Sequence, residues 1–229
     1  MKQLVDLPYR DIQTHWEEIY QEHVNIWAKY PAEEVIRFMA RHYGPLPDHS
    51  KIRVLDLGCG PGANTWYLCR EGYTVDGVDC STVALQKAER YLEAEGLKAT
   101  LTLAPLQSLP FDDETFACVI DNVSTTHNTW EDVLTISDEI YRVLRPGGKY
   151  YGAVFGPSTS IIGVEKEPGF FELTGGVIKA VAVRLFQEAE VHAFLKRFQE
   201  VTVDHQVRTL NQQTQRAEYW HYIATKPNQ

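Results

Sequence analysis

The chain has 229 residues, 44% of them hydrophobic, enough for one large domain or two small ones around a substantial core. Its net charge of -9 argues against a nucleic-acid partner, which needs a basic face. Four cysteines without CxxC spacing read as free thiols of a reducing compartment; with no apolar leader and no run near the ~18 apolar residues of a membrane span, the sequence predicts a cytoplasmic globular protein that does not engage a membrane.

Residues 1–47 read as a helical cover. In DIQTHWEEIYQEHVNIWAKY, Ile12, Trp16, Ile19, Tyr20, His23 and Trp27 recur at spacings of three, four and seven, the pattern of a one-faced helix. Trp16, Tyr20 and Trp27 either pack as core or form a lid over a ligand, because this helix precedes the rest of the fold and is placed to cover it. Pro31 fits the first turn of a second helix, AEEVIRFMARHY, which stops at Gly44-Pro45. GPLPDHSK is a linker by composition.

From residue 52 short strands alternate with helices. IRVLDL, YTVDGVD, LKATLTL, TFACVIDN and KYYGAVF read as strands. Between them lie helices over 62–71, from a Ser81 cap through Glu95, and over WEDVLTISDEIYRVL, the last ended by Arg145-Pro146-Gly147-Gly148. Such alternation implies a parallel sheet with crossover helices. After Gly156 the pattern breaks into a Gly- and Pro-rich excursion, 156–186, with Phe170-Phe171 inside it. EAEVHAFLKRF is helical again, and EVTVDHQVRTL and AEYWHYIATK read as a final antiparallel pair of strands.

The chemistry concentrates at VLDLGCGPG. Gly58, Gly60 and Gly62 follow a strand and open a helix, so backbone can approach a ligand whose anionic group meets free N–H groups at a helix start. Dinucleotides and S-adenosylmethionine both use this geometry. Asp56 separates them: beside the turn it would repel a pyrophosphate and attract an ammonium, unless it merely caps the next helix. Asp79, at the end of the second strand, suits a ribose diol in either ligand.

VLDLGCGPG, VDGVD, SLPFDDETFACVID and EIYRVLRPGGKYY resemble, in order and spacing, the motifs of class I S-adenosylmethionine-dependent methyltransferases. The resemblance is strong over roughly residues 50–155. HWEEIY…W is similar to the lead-in of the small-molecule branch, the thiopurine- and tellurite-methyltransferase-like group of methyltransferase types 11 and 25. The resemblance implies an α/β, Rossmann-like doubly wound sheet of seven strands, mostly parallel with the last antiparallel, over residues 48–229. It implies S-adenosyl-L-methionine as cofactor, with Gly58, Cys59 and Gly60 facing its methionine part and Asp56 its amino group. Asp79 would bind the ribose and Cys80 lie against the adenine. Pro105 occupies the position where the family usually has an acidic contact to the adenine amino group. Either Gln107 supplies that contact, with the Leu106 N–H reaching the ring, or packing holds the base. Asp121 and Asn122 would line the methyl-transfer cleft.

An activated methyl leaves positioning, and sometimes proton removal, to the protein. His127 is the candidate general base, with a pKa near neutrality expected, or a loop histidine without that role. Phe170 and Phe171 either shape an acceptor pocket or tuck a surface loop down. A metal would need a further carboxylate near Asp121, and GAVFGPST carries none, so no metal is expected. The function expected is methylation of oxygen or nitrogen on a small-molecule acceptor by a monomer or homodimer. The alternatives are a protein or tRNA methyltransferase and a non-catalytic cofactor-binding protein.

Overall fold

The computed structural model describes residues 9–22 and 29–228. Helices α1 (Tyr9–Glu22) and α2 (Glu33–His42) precede β1 (Arg53–Leu57), α3 (Ala63–Arg70), β2 (Thr74–Asp79), α4 (Thr82–Ala94) and β3 (Thr100–Leu103). Then come β4 (Phe116–Asn122), α5 (Trp130–Val143) and β5 (Leu144–Phe155). The chain continues with β6 (Ile161–Glu167), β7 (Phe170–Gly176), β8 (Ala182–Arg184), α6 (Glu188–Phe194), β9 (Gln199–Leu210) and β10 (Gln215–Thr225).

Seven strands form one sheet in the order β3-β2-β1-β4-β5-β10-β9. Only β10 runs against its neighbours, as the resemblance implied. The central strands read as unbroken apolar runs because both faces are covered. Leu55, Leu57, Val119 and Tyr150 point to one face and pack under α5 and α6 with Ile136, Ile140 and Phe194. Val54, Cys118, Ile120 and Tyr151 point to the other and meet Val35, Phe38 and Met39 of α2 and Leu68 of α3. Strand alternation thus feeds two hydrophobic layers.

Several boundaries differ from expectation. Pro31 lies ahead of α2, whose N-cap is Ala32 in extended conformation. The RPGG stretch does not terminate a helix in a loop: Leu144–Gly148 joins β5, with a register shift opposite Phe116–Cys118. The 156–186 excursion holds a three-stranded antiparallel sheet, β6-β7-β8. Its periodicity is hidden because β6 buries nothing fully and glycines interrupt it. A small cluster of Phe155, Ile178, Val183 and Leu185, with Phe171 and Leu173 against it, ties this sheet to the body.

Candidate active site

The sheet order turns at β1, with β2 and β3 to one side and β4 and β5 to the other. Open α/β sheets bind ligands beyond the carboxyl ends of the strands at such a point. A cavity of about 310 Å³ lies there, under Trp16 and Tyr20 of α1.

Its floor is the glycine turn, where Gly58, Gly60 and Gly62 all have positive φ. A Cβ on Gly58 would stand 2.2 Å from Ser124 Oγ, and one on Gly62 would stand 2.9 Å from the Ala88 Cβ of α4. The steric demand for glycine at these two positions comes from the protein's own packing. At Gly60 the same test reaches the Tyr20 hydroxyl, 3.0 Å away on the cavity wall. Ser124 Oγ lies 3.0 Å from the Leu57 carbonyl and 3.2 Å from that of Gly58, so its hydroxyl ties the loop after β4 to the turn.

Asp79 ends β2 on this wall. Its Oδ2 accepts the Gly60 N–H at 2.8 Å and its Oδ1 the Ser81 N–H at 2.9 Å. Each oxygen keeps a further acceptor site. Burial pushes the carboxyl up to about 6 against the pull of these N–H donors. Cys59 and Cys80 line the cavity beside it. Burial pushes the Cys80 thiol up to about 12, which makes it a packing surface and not a nucleophile.

Asp56 and Asp121 were expected at the ligand, and neither lines the cavity. The Asp56 side chain falls on the α3 side of β1, where it accepts the Thr65 hydroxyl at 2.6 Å, and burial pushes it up to about 7. Asp121 accepts the Ser124 N–H at 2.7 Å and the Tyr150 hydroxyl at 3.2 Å, and burial raises its pKa. It shapes the loop, while Asn122 next to it faces the cavity. Val123 follows with a φ of 65°, a conformation costly for a β-branched residue, held by its N–H on the Ala153 carbonyl.

His127 closes a 3-10 turn at Thr125–His127. Its Nδ1 lies 2.8 Å from the Ala182 carbonyl. A carbonyl only accepts, so Nδ1 carries the hydrogen and Nε2 of the neutral ring carries the lone pair. Burial lowers its pKa to about 4, which corrects the expectation of a base titrating near neutrality. Trp16 meets the imidazole edge-on at 5.0 Å and stacks on Tyr20 at 5.7 Å. Burial raises the Tyr20 phenol well above its ordinary value, so it stays protonated.

Leu106 and Gln107 line the far wall, and Gln107 Nε2 donates to Asn128 Oδ1 at 3.1 Å. Tyr30, Ala32 and Asn64 close another side, with the Ala32 N–H on Asn64 Oδ1 at 3.2 Å. Phe170 lines a separate cavity of about 80 Å³ with His15, Lys166 and Glu172, and Phe171 packs into the small cluster beneath β7. Neither phenylalanine lines the larger cavity; the excursion reaches it through the Ala182 carbonyl on His127. Trp27 lies outside the described residues. Sequence reasoning missed Ser124, Asn128 and Glu17. No periodicity marks them, and although Glu17 lies inside HWEEIY, its partners on α4, those of Ser124 at the glycine turn and the Gln107 partner of Asn128 are distant in the chain.

Residues 54–148 match the family model described as a methyltransferase domain. An uncharacterized methyltransferase, YodH of Bacillus subtilis, is 37% identical over 114 residues, which cover 47% of this chain and 44% of that protein. A malonyl-[acyl-carrier protein] O-methyltransferase of Enterobacter lignolyticus is 33% identical over 131 residues, 56% of this chain and 46% of that protein. The chain spans about half the length of the curated relatives it matches. Among solved structures, a Burkholderia thailandensis 1,6-didemethyltoxoflavin-N1-methyltransferase with bound S-adenosylhomocysteine superimposes with a TM-score of 0.69 at 21% identity, covering 97% of this chain and 93% of that one.

Proposed function

We infer, from the match of residues 54–148 to the methyltransferase-domain family model and the likeness to methyltransferases on either side of it, that this chain is a class I S-adenosylmethionine-dependent methyltransferase that transfers a methyl group from that cofactor to an oxygen or nitrogen of a small-molecule acceptor. The observation that carries the reading is Asp79, a buried carboxylate bonded to Gly60 of the turn and lining the cavity. It offers a ribose diol two acceptors beside a backbone open to an amino-acid tail. The donor set fits the cofactor: bare backbone at Gly60, a carboxylate at the nucleoside, and a carboxamide, Gln107, on the wall beyond.

When bound, S-adenosylmethionine supplies an activated sulfonium methyl. The residues then have to bind and aim. Gly58, Cys59 and Gly60 face the methionine part, and Asp79 holds the ribose. Cys80 and Leu106 would pack against the base, and Gln107 would meet its polar edge. Trp16 and Tyr20 cover the site and exclude water. Asn122 and His127 face the acceptor, whose O–H or N–H donates to His127 Nε2. With a pKa near 4 the imidazole orients that group without retaining its proton at neutral pH, so positioning supplies the rate. Helix α1 acts as the cover, and 156–186 support the acceptor side through Ala182.

The relative named for O-methylation and the neighbour named for N-methylation support transfer to oxygen or nitrogen. The full chain, given methyl-labelled S-adenosylmethionine with a panel of phenols, carboxylates and heteroaromatic amines beside bulk tRNA and protein, tests this. Label in the small-molecule fraction is expected. Label confined to tRNA or protein would overturn the acceptor class.

A further inference from the structure

We propose that Asn128 sets the base selectivity of this pocket by fixing which end of the Gln107 carboxamide reads the base; the proposal rests on the nucleoside reading of the cavity given above. Asn128 Nδ2 lies 3.1 Å from the Ser124 carbonyl and 3.2 Å from the Thr125 carbonyl. Both are pure acceptors, so this end of Asn128 is the NH2 and both its hydrogens are committed. Oδ1 is therefore the atom turned to Gln107, and an acceptor there can be met only by the Gln107 NH2, at 3.1 Å. The orientation of one amide dictates the other. Gln107 is left with Oε1 and one Nε2 hydrogen, and no described residue donates to that Oε1.

Both side chains line the cavity, and so do Asp79 and Cys80. With the amino-acid end of the ligand at β1 and the ribose at the tip of β2, the base extends toward the end of β3, where Gln107 stands. Among the described residues no carboxylate lines the cavity other than Asp79, so the base edge is read by an amide. A carboxamide presenting C=O and N–H matches the 6-amino group and ring N1 of adenine. A 6-oxopurine carries the opposite pattern, an acceptor at position 6 and a donor at N1. A free glutamine would satisfy it by flipping its amide. Asn128 forbids the flip, because an Oε1 facing Asn128 Oδ1 would leave two acceptors in contact. Asn128 is a positioning residue, acting on the ligand through Gln107.

Calorimetry of the full chain with S-adenosylhomocysteine and with its deaminated counterpart, S-inosylhomocysteine, tests this. Wild type is expected to prefer the adenine form by about tenfold or more, the scale of one mismatched hydrogen bond left unpaired. In Asn128→Ala the preference should fall below about threefold. A merely structural role would weaken both ligands alike and keep the ratio. If Asn128→Ala does not fold, Gln107→Met removes the reading amide itself and should lose the ratio too. Wild type binding both ligands equally, or either variant keeping the ratio, would overturn the proposal while leaving the cofactor assignment standing. Wild type binding neither would overturn the cofactor assignment, and this proposal with it.

Discussion

Glu17 of α1 accepts the Thr82 N–H of α4 at 2.7 Å, across 65 residues of chain. Its second oxygen takes the Val83 N–H and the Ser81 hydroxyl, each at 3.0 Å. The first turn of a helix has N–H groups without intrahelical partners and a positive dipole end. α1 supplies a carboxylate to that end, which sits immediately after Asp79 and Cys80. The capping contact therefore fixes where Trp16 and Tyr20 lie over the cavity.

Glu17→Ala is expected to destabilise the fold by about 1–2 kcal/mol, the cost of a lost helix cap. It should also weaken S-adenosylhomocysteine binding, because the cover loses its anchor. Chemical denaturation and titration of the same variant read both effects. Unchanged stability together with unchanged affinity would show that α1 docks by other means.

Gly58→Ala is expected to cost roughly 2–4 kcal/mol, combining left-handed backbone strain with overpacking against Ser124. Ser124→Gly in the same chain removes the obstructing Cβ and Oγ and should recover the overpacking part, though not the strain. Denaturant midpoints of the single and double variants measure the recovery. Simple additivity of the two losses would contradict the packing role assigned to Gly58.

His127 should contribute no near-neutral limb to the rate profile, since burial holds its pKa near 4. His127→Ala is expected to raise the acceptor KM and to lower turnover by about tenfold or less, below the usual range for positioned proton transfer. A wild-type acidic limb near pH 6.5 that vanishes in the variant would restore the general-base role.

Asp56 carries a stability signature. Its folded pKa is raised from 3.8 to about 7, so between those values the native state holds a proton that the unfolded chain releases. Wild-type stability relative to Asp56→Asn should therefore fall as pH rises through that window and level off above it. The fall should not exceed about 4 kcal/mol, the full shift at 1.36 kcal/mol per pH unit. Denaturation midpoints of both proteins from pH 4 to 8 check it; a gap that widens in wild type's favour would contradict a folded pKa raised by burial.

The central sheet was legible because its strands are buried on both faces and joined by helices, and the place of Asp79 on the cavity wall because it ends the strand beside the glycine turn. Asp56 and Asp121 were misplaced because a strand's alternation does not say which face meets which helix: Thr65 and Tyr150 claimed them. The β6-β7-β8 sheet was invisible because an exposed strand interrupted by glycine has no apolar rhythm to read. His127 lines the cavity as expected, but its lowered pKa was not legible, because the groups packed on it, Trp16 and Ala182, are far away in sequence.

Titration of the full chain and of Asp79→Ala with S-adenosylhomocysteine, with NADH as the rival ligand, tests the central claim most directly. Wild type should bind S-adenosylhomocysteine at one site and ignore NADH. Asp79→Ala should lose roughly 30- to 1,000-fold in affinity, the worth of hydrogen bonds to a charged acceptor. Binding of NADH in place of S-adenosylhomocysteine, or a change under about threefold in the variant, would contradict the account.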